Sequence, residues 1–202
     1  MQSVVVQGEL LLLVSSILLL QEYNEHMRVL YLGGGCFWCT EAVFRQLRGV
    51  TEVVPGYKGG SIPNPSYEAV CTGTTGHAEV IKVTYDETVI GTRDIFEIFF
   101  ATHDATTPNR QGNDIGSQYR SIIFFTDEEQ SEIAREVIAS LQSPLPADTS
   151  IVTEVAEASE FYPAEEYHYN YYTEHSDAPY CQIVIPPKLE KLQQKFAHKM
   201  RQ

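Results

Sequence analysis

Three consecutive glycines, Gly33 to Gly35, separate two segments of opposite character, and no other feature constrains the fold of this chain as tightly. Ahead of them Arg28 to Leu32 (RVLYL) reads as a short buried strand. Behind them Thr40, Val43, Phe44 and Leu47 recur at helical spacing until Gly49 ends the pattern. The stretch GGGCFWC, Gly33 to Cys39, therefore lies at a strand-to-helix turn. Glycine supplies the backbone freedom of such a turn and lets a substrate approach the main chain.

This placement puts Cys36 at a predicted helix N-terminus, where free N–H groups and the macrodipole favour an anion. The expected result is a thiol pKa lowered from about 8.5 toward neutrality, and hence a nucleophilic thiolate. A free cysteine is more ordinarily a small buried hydrophobe, but the turn favours a working thiol. Phe37 and Trp38 suit a core or, beside a nucleophile, an apolar cradle for a methyl or thioether group. Cys39 completes a C-x-x-C pair open to three readings. It is a redox pair with one attacking and one resolving thiol, a zinc site, or a second buried cysteine. A zinc site lacks a second ligand pair at similar spacing, so no metal is expected.

Further along, Cys71 to Glu79 (CTGTTGHAE) is a glycine-rich turn that brings His77 and Glu79 to the start of a strand. A glutamate there is ordinarily solvated. Buried beside a thiolate, its pKa would rise, and it would be a proton donor near neutral pH. Spacing alone does not bring Glu79 to Cys36.

The remaining pattern mixes strands and helices without internal repeat. Thr51 to Lys58 is a predicted strand, followed by the irregular loop GGSIPNPSY. In Ala78 to Asp86, Ile81, Val83 and Tyr85 alternate with Lys82, Thr84 and Asp86, the period of a strand with one buried face. Arg93 to Thr102 reads as a buried helix. The polar segment HDATTPNRQGNDIGSQ then runs long enough to imply a functional or disordered loop. Tyr119 to Phe125 is a strand, and Thr126 with Glu129 forms a capping box for a helix ending near Leu141. Ile151 to Ala156 is the last strand, Pro163 opens a helix through Tyr172, and the tail from Pro186 is helical.

At 202 residues the chain suits a single domain, assigned to 27–202, and monomeric by default. A net charge of −13 argues against nucleic acid as a partner. Local basic clusters, Arg45 to Arg48 and the tail residues Lys188, Lys191, Lys195, Lys199 and Arg201, are expected to be solvated helix faces. Four cysteines, Cys36, Cys39, Cys71 and Cys181, are too few for a disulfide scaffold and fit a reducing, cytoplasmic setting. Residues 1–26 are treated as an extension outside the domain. Their apolar run, residues 10–20, has no basic residue before it and is shorter than the ~20 residues of a membrane span. An atypical signal or anchor, a buried or interfacial helix, and translated upstream sequence ahead of Met27 all stay open.

Taken together, GGCFWC (34–39), GYKGG (56–60), PSYEAVCTGTTGHAEV (65–80), HDATTPNRQGNDIGSQYRS (103–121) and FYPAEEYH (161–168) resemble the peptide methionine sulfoxide reductase family of the A type. The likeness runs from Met27 to about Ala197. It implies a two-layer α+β sandwich, a mixed β-sheet core flanked by helices and long loops. It implies thiol-dependent reduction of methionine S-sulfoxide, in proteins and as the free amino acid, as a repair activity. By the same resemblance Cys36 is the nucleophile and Glu79 the proton donor to the sulfoxide oxygen. Tyr67 and Tyr119 hydrogen-bond that oxygen, Asp114 orients the substrate, and Phe37 and Trp38 hold its methyl group. The Cys36 sulfenic acid is then resolved by Cys39 or by Cys181, in DAPYCQ, with Cys39 ranked first. Cys71 is expected to be structural. No cofactor is implied, and thioredoxin, or dithiothreitol in its place, restores the thiols. Ala105 stands where the family often has proline.

Two rivals remain. A thioredoxin-like disulfide oxidoreductase also places a thiolate at a helix start, but its usual W-C-x-x-C order is rearranged here. A non-catalytic binder of oxidised methionine or of a protein partner would need only the aromatic pocket, not Glu79 and both tyrosines.

Overall fold

The computed structural model describes residues 25–202. The apolar run at residues 10–20 and nearly all of the predicted extension lie outside the described residues. Eight strands are described: β1 (Met27–Gly33), β2 (Val50–Lys58), β3 (Ala78–Asp86), β4 (Arg110–Gln111), β5 (Asp114–Ile115), β6 (Ile122–Phe125), β7 (Glu154–Glu157) and β8 (Phe161–Pro163). Six of them form one sheet in the order β7-β6-β1-β3-β2-β8. Every pair in it is antiparallel except β6 with β7, which makes the sheet mixed.

The helices are α1 (Phe37–Phe44), α2 (Tyr67–Cys71), α3 (Thr92–Thr102), α4 (Glu128–Gln142), α5 (Tyr171–Glu174), α6 (Pro179–Ile183) and α7 (Pro186–Phe196). The main core joins one face of the central strands to α1, α3 and α7, with Leu30, Leu32, Ile81, Val83, Phe44, Ile95, Phe99 and Leu192 all buried. A smaller cluster, Ala78, Val80, Ile122 and Phe124, lines the opposite face. The α+β two-layer expectation is borne out.

β3 carries the predicted alternation, and the same period runs back to its first turn. Glu79 shares the face of Ile81, Val83 and Tyr85, and lies 1% exposed under the helices. β1 hydrogen-bonds to β3 along its length, so the chain leaves the sheet at Gly33 beside the Glu79 main chain. Gly35 makes the turn with φ +91°, and a Cβ there would meet Gln111 Cγ at 2.6 Å. Only glycine satisfies both conditions.

Several boundaries differ from the sequence reading. α4 is capped by Asp127, whose side chain accepts from the Gln130 N–H at 2.9 Å, while Thr126 bonds the Val29 carbonyl instead. Pro163 opens no helix. It ends the edge strand β8, opposite Gly56, where its missing N–H leaves no ladder bond broken. Tyr119 lies in a 3₁₀ turn ahead of β6 rather than in the strand, and the predicted strand at Ile151 begins at Glu154. The long polar segment is folded: β4 and β5 form a hairpin, and the Gln111 amide bonds both the N–H and the carbonyl of Asp104.

Candidate active site

Cys36 is the N-cap of α1, as its position after the glycines predicts, and its carbonyl accepts the first helical bond from Cys39 N–H at 3.1 Å. The next N–H, that of Phe37, donates to Glu79 Oε2 at 3.0 Å. Thus one free N–H of the helix start is taken by a carboxyl group, and the next, that of Trp38, favours the Cys36 sulfur only weakly. Burial is the main force raising Glu79, opposed by that one hydrogen bond, and its pKa reaches about 8. At neutral pH the carboxyl is mostly protonated.

The same surroundings overturn the expectation of a lowered Cys36 pKa. Burial first, then the hydrogen bond to Cys39 and the proximity of Glu79, push the Cys36 thiol well above its ordinary range. Cys39 moves the other way. The Cys36 hydrogen bond holds it down, aided by the positive charge of Lys188 and by the Tyr180 hydroxyl, against burial. The two sulfurs share one hydrogen bond, and Lys188 and Tyr180 act on the Cys39 side of it.

The aromatic residues lie on the other side of Cys36. Phe37 is buried, its ring 5.9 Å from that of Tyr57, 6.4 Å from that of Tyr67 and 5.0 Å from that of His168. Trp38 stacks on Tyr171 of α5 with centroids 3.7 Å apart, and its Nε1–H donates to His168 Nδ1 at 3.1 Å. Burial keeps His168 neutral by lowering its pKa, which suits that acceptor role. Tyr67 and Tyr119 are half-buried, and burial raises both hydroxyls far above the phenol range, helped in Tyr67 by a hydrogen bond to Cys71 and then the Glu79 charge, and in Tyr119 by the Glu79 and Cys36 charges. Glu165 fixes Tyr67 by accepting its N–H at 2.9 Å and accepts the Tyr57 hydroxyl at 2.8 Å.

Asp114 comes from β5 and accepts a hydrogen bond from Tyr180 of α6 at 2.7 Å. The Tyr180 oxygen is also 3.5 Å from Cys39 Sγ. Both thiols open on a cavity of about 330 Å³ whose wall includes Gln111, Asp114, Tyr180 and Lys188. Cys181 sits one residue beyond Tyr180, fully buried in the main core, with its thiol raised by burial. Cys71 ends α2 in an exposed position, so it fills no core.

Sequence reasoning missed Tyr180, Lys188, Glu165 and His168 as parts of this site. Glu165 and His168 belong to FYPAEEYH, one of the motifs that carry the family resemblance. Lys188 was expected on a solvated face. Instead its Nζ donates to the Thr102 carbonyl at 2.7 Å, and the residue lines the cavity. No three or more His, Cys, Asp or Glu side chains are grouped to hold a metal among the described residues.

Comparison with known proteins agrees with this geometry. The family model for peptide methionine sulfoxide reductase matches residues 28–200. A protein of Sulfolobus acidocaldarius named peptide methionine sulfoxide reductase MsrA is 54% identical over 173 residues, covering 86% of this chain and 97% of its own length. Methionine sulfoxide reductase A of Corynebacterium diphtheriae superposes with a TM-score of 0.71 at 35% identity, over 75% of this chain and 76% of that one. Mxr1 of Saccharomyces cerevisiae in its reduced form gives 0.68 at 33% identity, over 78% and 90%. With a buried acid and a thiol pair meeting at one helix start, and these likenesses along nearly the whole described chain, the chain belongs to the peptide methionine sulfoxide reductase family.

Proposed function

We propose that the protein reduces methionine S-sulfoxide, in oxidised proteins and peptides and as the free amino acid, to methionine, with Cys36 as nucleophile and Glu79 as acid. The observation that carries this reading is the buried Glu79 carboxyl, raised to about 8 and hydrogen-bonded to the residue after Cys36. It is a proton donor at neutral pH, held beside a thiol that burial keeps from wasteful ionisation.

In this reading the Cys36 sulfur attacks the sulfoxide sulfur while Glu79 protonates the oxygen. As the sulfur–sulfur bond to the substrate forms, the Cys36 thiol proton passes to Glu79 and restores the acid. The hydroxyl then moves to Cys36, the sulfur–oxygen bond to methionine and the transient sulfur–sulfur bond break, and methionine leaves with Cys36 as the sulfenic acid. Tyr67 and Tyr119, with phenols that stay protonated across the working range, donate to the same oxygen. Phe37 and Trp38 form the apolar wall for the methyl group, and Asp114 orients the substrate main chain. Cys39 or Cys181 then displaces hydroxide from the sulfenic sulfur as water, leaving a disulfide, and thioredoxin reduces it. Residues 27–202 act as one catalytic domain, a monomer in the cytoplasm, with residues 1–26 outside it. Among the described residues no helix is long and apolar enough to cross a membrane.

The test is turnover of a methionine sulfoxide peptide by the full chain with dithiothreitol. Steady release of methionine is expected, and Glu79→Ala should lower it by a factor on the order of 10²–10⁴, the usual worth of a general acid. Wild-type turnover that survives undiminished in a well-folded Glu79→Ala protein would overturn the assignment.

A further inference from the structure

The two thiols occupy unequal positions in the cavity they share. Cys36 faces Glu79, whereas Cys39, one helical turn on, faces the Tyr180–Asp114 pair and a cation from the far end of the chain. That cation is Lys188 of α7. Its Nζ is anchored to the last carbonyl of α3, that of Thr102, at 2.7 Å. Lys188 lines the same cavity as Cys36, Cys39, Asp114 and Tyr180, and with Cys39 it also lines a second, smaller pocket. A lysine with most of its stem covered and no carboxylate bonded to it is an unusual use of a charge, and the structure places it against the thiol pair.

We propose that Lys188 is a positioning residue for the resolving step: its ammonium, fixed by Thr102, holds Cys39 as the thiolate that attacks the Cys36 sulfenic acid. This rests on the sulfoxide reductase reading above. In the step, the Cys39 thiolate forms a sulfur–sulfur bond with Cys36 and the Cys36 sulfur–oxygen bond breaks. The sulfenic sulfur is reduced, the Cys39 sulfur is oxidised, and hydroxide leaves with a proton as water. No oxidant beyond the sulfoxide already consumed is required.

Electrostatics and placement agree. Lys188 lowers Cys39, and both sulfurs raise Lys188 against a larger lowering by burial. The charged and titratable groups facing Cys39 are Cys36 from the start of α1, Glu79 from β3, Asp114 from β5, Tyr180 and Cys181 from α6, Lys188 from α7, and His103 after α3, which lines a smaller pocket with Cys39 and Lys188. Asp114 opposes the thiolate, and its proton-donating partner Tyr180 moderates that opposition. Lys188 in turn faces Lys191, Asp114 and both thiols, and its charge reaches His103 at the end of α3. Cys181 has neither an aiding cation nor a place on the cavity wall. Its neighbouring charges, Cys39 and Asp177, raise it further.

The experiment mixes the reduced full chain with excess methionine sulfoxide peptide without reductant, and follows methionine release and loss of the second thiol across pH. Wild type should release one methionine per chain, lose two thiols, and yield a mapped Cys36–Cys39 disulfide. No methionine release would refute the reductase reading itself, and this inference with it. In Lys188→Met the Cys39 pKa should rise, cutting its thiolate fraction by more than the accompanying gain in intrinsic nucleophilicity restores. Disulfide formation relative to methionine release should then be severalfold slower below the Cys39 pKa and as fast or faster above it. Lys188→Arg should restore the wild-type curve. In a Cys36→Ser background, ultraviolet thiolate absorbance should show the same shift of Cys39 on Lys188→Met. A pH profile that superimposes on wild type, a slowing by one factor at every pH, or a mapped Cys36–Cys181 disulfide would each overturn the proposal.

Discussion

Glu79 shows how one side chain can be unfavourable for folding and suited to chemistry at once. Its folded pKa, about 8, lies above the ordinary carboxylate value because burial disfavours the charge. For a group raised in this way, the stabilising contribution is fully present below the unfolded pKa and is lost as pH climbs through the folded one. Wild type should therefore lose stability between about pH 4.5 and 8, by on the order of a few kcal/mol. Glu79→Gln, which keeps the shape without the charge, should flatten that slope in chemical denaturation run at several pH values. The same variant should lose single-turnover methionine release, and in wild type that release should decline above about pH 8 as the acid ionises. Equal pH slopes in the two proteins would show that Glu79 does not titrate in this window. The signal for its burial was in the sequence: the period of Ile81, Val83 and Tyr85 extends by one step to residue 79. Acidic residues at strand starts are so often solvated that the step is easily discounted. Only the sheet register, which sets Glu79 opposite Tyr57 and beside Gly33, brings it to Cys36.

At the scale of elements, α1 is held by the chain's last third. Glu41 on α1 pairs with Arg45 at 2.9 Å and accepts the Asn170 N–H at 2.9 Å. Tyr171 then lies on Trp38, and α6 brings Tyr180 to Asp114. These contacts join residues more than a hundred positions apart in part, and no local period encodes them, which is why Tyr180 and Lys188 were invisible as site residues. The turn at Gly33–Gly35, by contrast, was legible because glycine spacing and helix period are local. The Tyr180 bond has a measurable consequence. Asp114, proposed to orient substrate, already has a hydrogen-bond donor in the substrate-free enzyme, so substrate must compete with it. Tyr180→Phe removes the hydroxyl, and a hydrogen bond to a charged group of about 1.5 kcal/mol corresponds to a roughly tenfold lower KM for a peptide substrate. A raised KM, measured with dithiothreitol as reductant, would instead mean that the Tyr180 hydroxyl itself binds substrate.

For the whole molecule, the sheet separates two kinds of buried charge. One face carries the chemistry of Glu79 and the thiols. On the other, Lys58 of β2 is fully buried, its Nζ bonded to the Ser159 carbonyl and 4.0 Å from the Tyr31 ring centroid. The GYKGG motif marked the place of Lys58 in the sequence but gave no sign that a lysine would be enclosed there. Enclosure depends on β8 and the turn before it folding back along β2, a long-range event that also places Pro163 at the end of a strand instead of the start of a helix. Burial lowers Lys58 to about 8. For a lysine lowered in this way, carrying the charge opposes folding below the folded pKa, and the opposition fades as pH rises toward the ordinary lysine value near 10.5. Lys58→Met keeps much of the stem volume and removes the charge, at the loss of one hydrogen bond and a cation–π contact. The variant should be more stable than wild type by about 1 kcal/mol or more at pH 7, as replacements of buried charges by packed apolar groups often are. Its advantage should shrink as pH rises from about 8 to 10.5 and vanish about one pH unit above that, where wild-type Lys58 is neutral in both states. Urea unfolding at the two pH values separates the contributions. Destabilisation at pH 7 would show that the Ser159 bond and the Tyr31 ring outweigh the desolvation of the ammonium, and that this face of the sheet relies on the charge.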